Sequence, residues 1–575
     1  MTAPPRPNRS ARLARWAMQR AWRPAPWSPW LLGGLVGAVW LVTSVWAVLV
    51  ADLALRHPPG WPRLIGDLIY GPVTFLFPST SFVLVETLDW QTQVARFAGL
   101  LFAAMNVVWV LRRRVLTWLA RALLRRAQGH AVLTGHAGSA DALAIASSAQ
   151  GQVVALIDAG LASDAARAAR LGAAGVIGLS GPDRTYALLR QAHGTAAATI
   201  AISESGDAES LATAIALRPL LAPLPLPEPR AREVLLSIGS PATQRALRHA
   251  PALIHDGKVR FRPFSPEGVV VRAALANADL VKAAATRGQP RVAVCLWGQG
   301  PALPWAAEHM LRQNWSIHLH APHLLLGVPF GHAPNALADD AALAHFAAHL
   351  AQVFAASDLP AILPLAEAQA GRHGAITRHI VDLGSDDATL AFALRLAAAL
   401  RQAEADPAPV QPVLRATLGT QPLFTAADLA LLPPIEVGAA LTLEQLVARP
   451  QDEAAAHLHL AYAQRYGGDG VPASGRWQDL AETYVAANRA AADHRAVKAW
   501  DAAQSALTGP QLVEALAMAE HNRWCAERLL DGWITSPPGQ RDNQRRMHPD
   551  LVPWASLPET ARAKDREQVG DLLGS

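Results

Sequence analysis

Apolar and polar positions follow three different patterns along the 575 residues. Near the N-terminus, Trp30 to Leu53 (WLLGGLVGAVWLVTSVWAVLVADL) runs without a charge until Asp52. That is about the ~20 apolar residues that carry a helix across a bilayer. Phe97 to Leu111, bounded by Arg96 and Arg112, is shorter, and an Arg96 side chain reaching outward would complete a second span. Between them, Tyr70 to Val85 is apolar but broken by Pro72 and Pro78, which predicts a re-entrant or interfacial stretch at 70–85. Past His130 the pattern changes to short apolar runs alternating with helical ones, as a parallel α/β sheet requires. Ala131 to Thr134, Val153 to Ile157, Gly175 to Gly178, Thr199 to Ser203 and Glu233 to Ser237 read as strands, with a helix over Ser139 to Ala149. A Pro-rich break at Pro219 to Pro229 precedes the last of these, and Val259 to Leu280 closes the lobe as strand, turn and helix. The pattern restarts at Arg291 to Leu311, continues with a strand at Ser316 to His320, then Ile376 to Leu383, a helix over Thr389 to Glu404, and Val413 to Leu418. From Glu436 the text is helical: Thr442 with Gln445 forms a capping box, Glu453 to Gln464 is a helix, and Trp477 to Ala506 follows a Gly-rich break at Gly467 to Gly475.

These patterns give a multidomain chain. A basic segment occupies 1–28, a two-span α-helical membrane hairpin 29–115 and a basic connector 116–130. Rossmann-like lobes follow at 131–285 and 286–435, then a helical region at 436–510 and a small, mainly α-helical module at 511–571. Charge changes the picture in one respect. The chain is 51% hydrophobic and 17% charged, with a formal net charge of +5. Its arginines gather at Arg6, Arg9, Arg12, Arg15, Arg20 and Arg23 before the first span and at Arg112, Arg113 and Arg114 after the second. That bias places both termini on the cytoplasmic side of a two-pass inner-membrane protein and leaves no excess that calls for nucleic acid. The two cysteines, Cys295 and Cys525, have no metal-type spacing and fit a reducing compartment. The pairs His318/His320 and His457/His459 lack a third ligand, so no metal is expected. No nucleophile elbow, phosphate loop or HExxH is present, and no residue set reads as catalytic.

Two turns carry candidate nucleotide chemistry. Where a dinucleotide fold has G-x-G-x-x-G, the first lobe has Gly135-His136-Ala137-Gly138-Ser139-Ala140, with Asp158 ending the second strand where a ribose-binding acid belongs. Its candidate residues are Gly135, Ala137, Ala140 and Asp158. The second lobe has Gly298-Gln299-Gly300 but Leu303 at the third place and no acid after its second strand, leaving Gly298 and Gly300. Each lobe lacks what the other keeps. The lobes resemble the RCK/KTN (TrkA-N-like) regulatory domains of potassium channels and transporters, and the resemblance implies nucleotide binding coupled to transport. The hairpin with its apolar stretch resembles the pore module of two-helix cation channels. The TVGYG filter is absent, the nearest text being Thr80-Ser81-Phe82-Val83, and the other reading is a plain anchor with a hydrophobic loop.

Leu512 to Val569 carries the most specific signature: Glu520-His521, Trp524, Gly532-Trp533, Arg541-Asp542, His548-Pro549 and Leu557-Pro558-Glu559. This ordered set resembles the RyR domain, the repeat module of ryanodine receptors that also occurs in prokaryotes fused to RCK/KTN-like domains. Ser536-Pro537-Pro538 departs from it, because an aromatic-glycine pair is usual there. Trp524 and Trp533 with Arg541, Arg545, Arg546 and His548 supply what stacks a base and holds phosphates. The alternative is that both tryptophans are core and the basic run is a solvated face. Together the resemblances imply a ligand-gated ion channel or conductance regulator, not an enzyme. It would be gated through the lobes or the RyR module by a nucleotide: NAD(H), ATP or ADP, or a cyclic or signalling nucleotide. The implied partners are the lipid bilayer, a monovalent cation and further copies of the chain in a dimer or tetramer. Two other functions stay open: a nucleotide-sensing, membrane-permeabilising effector of a prokaryotic defence system, and a membrane-anchored NAD(P)-dependent enzyme.

Overall fold

The computed structural model describes residues 7–22, 34–46, 90–136, 138–181, 186–221, 232–328, 343, 350–354, 375–403, 407–415, 432–437, 441–448, 452–466, 477 and 480–573. The chain divides into two compact units, one of Arg6–His130 with Gly151–Ala197, the other of Met1–Pro5, Ala131–Gln150 and Ala198–Ser575.

In the smaller unit the basic N-terminal segment is more than a topological signal. Arg9–Trp22 is a helix whose Ala11, Ala14 and Ala17 are fully buried. That small-residue stripe lets it lie close against the helix Trp90–Leu124. Arg112 Nη2 donates to the Arg20 carbonyl at 2.6 Å, and the Arg113 guanidinium stacks 3.3 Å from the Trp22 ring. Trp22 in turn fills the space at Gly172, where an added carbon would sit 2.2 Å from its ring. Residues 34–46, the described part of the first apolar stretch, are helical and touch the long helix through stacked Trp40 and Phe102 rings 5.4 Å apart. Among the described residues no helix is long and apolar enough to cross a membrane. The stretch at 70–85 lies outside the described residues. Leu35, Val42, Trp46, Phe97, Leu101, Val107, Val115 and Trp118 are exposed. The first residues of the basic connector are the last turns of the long helix. Beyond it, His130 Nε2 bonds the Ala192 carbonyl and His193 Nδ1 the Ala127 carbonyl, each at 2.6 Å.

The first lobe's strands are β1 (Ala131–Gly135), β2 (Val154–Ile157), β3 (Ile177–Leu179), β4 (Thr199–Ser203), β5 (Arg232–Ser237) and β6 (Val259–Phe264), in the order β3-β2-β1-β4-β5-β6. β1 and β4 are buried at every position, as continuous apolar runs in a parallel sheet must be. The second lobe has β7 (Arg291–Gly298), β8 (His320–Val328), β9 (Leu350–Phe354), β10 (Arg378–Asp382), β11 (Val410–Leu414) and β12 (Ile435–Glu436), in the equivalent order β12-β11-β10-β7-β8-β9. This is the doubly wound arrangement twice over. β7 supplies both layers of its core. Val292, Val294 and Leu296 face the helices Pro266–Leu275 and Leu303–Gln313, while Ala293, Cys295 and Trp297 face Asp386–Ala403.

One strand moved. The sequence places the second strand of this lobe at Ser316 to His320, but β8 begins at His320. Ser316 and Ile317 are instead held in a loop by Asp501, through Ser316 Oγ at 2.6 Å and the Ile317 N–H at 3.0 Å. The burial of Leu324, Leu325 and Leu326 fixes the strand, and Pro322 is tolerated where the register against β7 shifts between Arg291 and Ala293. The capping box is present, with the Thr442 N–H on Gln445 Oε1 at 2.9 Å and the Gln445 N–H on Thr442 Oγ1 at 3.2 Å.

The C-terminal part packs Glu482–Asp493, Arg495–Gln504, Gly509–Leu530 and Glu559–Leu573. Val497, Ala526 and Leu530 join the core of the second lobe. Glu520, 1% exposed, accepts from Lys498 Nζ at 2.8 Å, His494 Nδ1 at 3.0 Å and Arg523 Nε at 2.9 Å.

Candidate functional site

The glycine turn of the first lobe is built for packing. A carbon added to Gly135 would lie 2.0 Å from the Ser203 carbonyl of β4 and 2.7 Å from the Ala140 Cβ, so both small residues allow the helix to approach the sheet. Ala137 lies outside the described residues. Asp158 is fully buried: Oδ1 accepts the Gly160 N–H at 2.9 Å and Oδ2 pairs with Arg167. Both oxygens of the acid placed by sequence against a ribose are thus engaged by the chain itself.

The second lobe goes further. Gly298, at φ +106°, and Gly300 are brought together as the spacing predicts, and both make room for the same residue. Added carbons would lie 2.3 Å from the Asp382 carbonyl and 1.8 Å from Asp382 Cγ, respectively. The fully buried Asp382 carboxylate accepts the Ala302 N–H at 3.0 Å, where the helix Leu303–Gln313 begins, and the Gly384 N–H at 3.1 Å. Arg415 Nη2 reaches both its oxygens at 2.8 Å. A helix N-terminus favours an anion, and here the chain's own carboxylate stands in that place. The two lobes repeat a second device. Asp386 accepts the Arg415 N–H at 2.8 Å, and Asp207, also opening the helix after a fourth strand, accepts the N–H groups of Gly239 at 2.6 Å and Ser240 at 3.1 Å.

At the C-terminus Trp524, Trp533 and His548, three of the six residues singled out by sequence, come together. The Trp524 and His548 rings meet edge-on at 5.0 Å, and Trp533, 5% exposed, meets His548 at 6.2 Å. Arg541 stands outside this cluster, its Nε on Asn543 Oδ1 at 2.9 Å. The cation in the cluster is Arg528, 5.8 Å from the Trp524 ring and 5.1 Å from that of Trp533. The sequence signal for it was available, since Arg528 lies four residues after Trp524 on one helix face. Trp533 Nε1 and Ser536 Oγ have no hydrogen-bond partner among the described residues. Two histidines flank Trp524 in opposite protonation states. His521 stacks on it at 5.8 Å. Burial opposes its charge, but Asp565, Cys525 and the Val552 carbonyl raise its pKa to about 10. Burial, then Arg541, Arg528 and Lys564, lower His548 to about 4.

Buried histidines set the expected pH profile. Burial holds His130 at about 4, and burial with Arg287 holds His379 at about 3. An unfolded histidine titrates near ~6.5, so these groups and His548 contribute stability that is complete above that pH and lost as pH falls toward 4. His521 has the opposite sign: its contribution is complete below ~6.5 and is lost as pH rises through about 10. The urea midpoint followed from pH 4 to 10 should peak near pH ~6.5 and decline on both sides. Constant stability from pH 7 to 4 would contradict the buried, neutral imidazoles.

Solved structures of GsuK match the chain at low similarity. A GsuK mutant is 14% identical with a TM-score of 0.37, covering 73% of this chain and 98% of that one. GsuK bound to ADP is 13% identical at 0.36, covering 74% and 98%. The GsuK channel bound to NAD is 11% identical at 0.28, covering 73% and 84%. No curated protein matches the chain. The family model of the RyR domain matches residues 501–575, starting upstream of the boundary expected at 511, so the module that holds Trp524, Trp533 and His548 is a RyR domain.

Proposed function

We propose that this chain is a ligand-gated conductance regulator of the cytoplasmic membrane, in which two apolar segments enter the bilayer and a nucleotide-type ligand controls them from the cytoplasmic side. One observation carries the reading. Phe97, Leu101, Val107 and Leu111 are exposed on a helix that continues without a break through Arg112, Arg113 and Arg114 to Leu124. Large apolar side chains exposed together ask for a partner surface. An apolar run followed at once by arginines is what lipid and its headgroups satisfy. The glycine turns, filled by Asp382 in one lobe and closed by Ser203 and Ala140 in the other, are structural in this reading. It assigns binding and a change of shape, with no bond-making step, and it places a monovalent cation and further copies of the chain among the partners.

The test is cation flux from liposomes holding the full chain, with ADP, NAD(H) and cyclic nucleotides added in turn. Flux that rises several-fold with one of them supports the proposal. Silence with every nucleotide overturns it, and turnover of a reduced cofactor replaces it with an oxidoreductase.

A further inference from the structure

A cavity of about 290 Å³ lies in the larger unit among the helices Pro241–Arg248, Pro266–Leu275, Leu303–Gln313, Leu443–Ala448 and Glu482–Asp493. None of the glycine turns or RyR aromatics contributes to it. Its size falls at the lower end of small-molecule sites, which run about 300–1,000 Å³.

Four guanidiniums line it, in two different states. Arg272 is held on both sides, bidentate on Asp493 at 2.8 and 2.9 Å and on Asp452 at 2.9 Å. Arg489 shares Asp452, with Nε at 2.8 Å. These two acids line the cavity and neutralise that wall. Arg248 and Arg312 form the other wall. Their acids, Asp531 at 2.9 Å and Glu308 at 2.6 Å, do not line the cavity. Burial lowers both arginines from the usual guanidinium value.

Two further polar atoms at the cavity lack partners. His309 is 8% exposed and Gln313 3%, and among the described residues neither His309 Nε2 nor Gln313 Oε1 has a hydrogen-bond partner. Burial holds His309 neutral, with a pKa of about 4. Buried polar groups are normally satisfied, so two at one cavity are an unfilled demand on its occupant. Beside them stands Trp305, at i, i+4 and i+8 with His309 and Gln313 on one helix face. Its indole is pinned: Nε1 donates to the Gly239 carbonyl at 2.7 Å, and Gly268 leaves only 2.9 Å to the ring for any added carbon.

We infer that this cavity binds a small molecule carrying a phosphate on a flat, nitrogen-bearing ring, of nucleoside monophosphate size. Arg248 and Arg312 hold the phosphate, Trp305 faces the ring, Gln313 Oε1 accepts a ring N–H, and His309 Nε2 completes the set. Charge-assisted bonds from paired guanidiniums suit a phosphate better than a neutral group. The inference rests on the proposed function only for the role of the ligand, since it names where that ligand sits. A phosphate on Arg248 competes with Asp531. Asp531 directly precedes Gly532-Trp533, and its carbonyl also receives His249 Nε2 at 3.1 Å and Arg546 Nη1 at 3.2 Å. Occupancy is therefore read at the root of the RyR turn.

The test is calorimetry and thermal unfolding of the full chain in detergent with AMP, GMP, adenosine and inorganic phosphate. A monophosphate should bind at least tenfold more tightly than adenosine or phosphate and raise the unfolding midpoint by several degrees. Ala486→Leu fills the cavity without removing a charge and should abolish binding, as should Arg312→Gln. No binding by either monophosphate, equal affinity for inorganic phosphate, or unchanged binding by Ala486→Leu overturns the site. Binding without cation flux leaves the site standing and removes the conductance reading. Flux without binding does the reverse.

Discussion

Replacing Glu520 by alanine should cost about 3–5 kcal/mol in the C-terminal module, the loss expected when a buried ion pair is broken from one side. Glu520 is 1% exposed and Lys498 also 1%, so neither can turn to water when the other is removed. Burial opposes charge on Glu520, but Arg523, Lys498 and His494 hold its carboxyl well below the usual carboxylate range. The sign follows from linkage. The contribution is complete above the unfolded value near ~4.3 and is lost as pH falls below it. A chain of several domains has no single unfolding free energy. The measurement is therefore hydrogen exchange of the amides in Gly509–Leu530, which should speed up more than a hundredfold while β7 is unaffected. Glu520→Gln should fall between, since the amide keeps the shape and loses the charge. Exchange within threefold of the parent chain would show that the network contributes little.

Gly300→Ala should be nearly as severe. The new carbon would sit 1.8 Å from Asp382 Cγ, and a fully buried carboxylate cannot step aside without releasing the Ala302 and Gly384 N–H groups and Arg415. Overpacking of this kind costs about 3 kcal/mol or more, and the lost hydrogen bonds add to it. The diagnostic is the double variant. Asp382→Ala alone strips the helix start of its acceptor, yet it also removes the atom that the alanine strikes. Gly300→Ala with Asp382→Ala should therefore cost less than the two single changes together, by at least about 1 kcal/mol. Additive costs would mean that the turn is shaped by something other than Asp382. A pyrophosphate cradle would behave otherwise, because there the added methyl would harm ligand binding and leave the unliganded fold nearly intact.

What could be read from the sequence was local. The helix Ser139–Ala149 and the strand Thr199–Ser203 emerge with the bounds their patterning gives, because a buried parallel strand is a run of apolar residues and Gly138 marks the helix start. The Thr442/Gln445 box is likewise a four-residue signal. What escaped reading depends on residues far apart. Nothing near Asp158 announces that Arg167 will take its carboxylate, and Asp382 and Arg415 are joined across 33 positions. The β8 error has the same origin. Pro322 argues locally against a strand, and only the neighbouring β7, with its register shift, makes room for it. Of the C-terminal site, Trp524, Trp533 and His548 were legible and Arg528 was within reach. The cavity around Trp305 was not, because its walls come from five helices between residues 241 and 493.

The helix Trp90–Leu124 has 35 residues and contains no proline. At 1.5 Å per residue it is a rod of about 53 Å. Its last turns are bolted rather than tethered: Arg121 Nη2 donates to the Gly178 carbonyl of β3 at 3.0 Å, and Arg112 and Arg113 are clamped by the helix Arg9–Trp22. Such a rod has no slack to take up and barely stretches, so it passes on rotation about its own axis. A twist of the apolar end is carried toward the edge of β3, and a turn imposed at β3 re-aims Phe97 and Leu101. The natural coordinate of this connection is torsion.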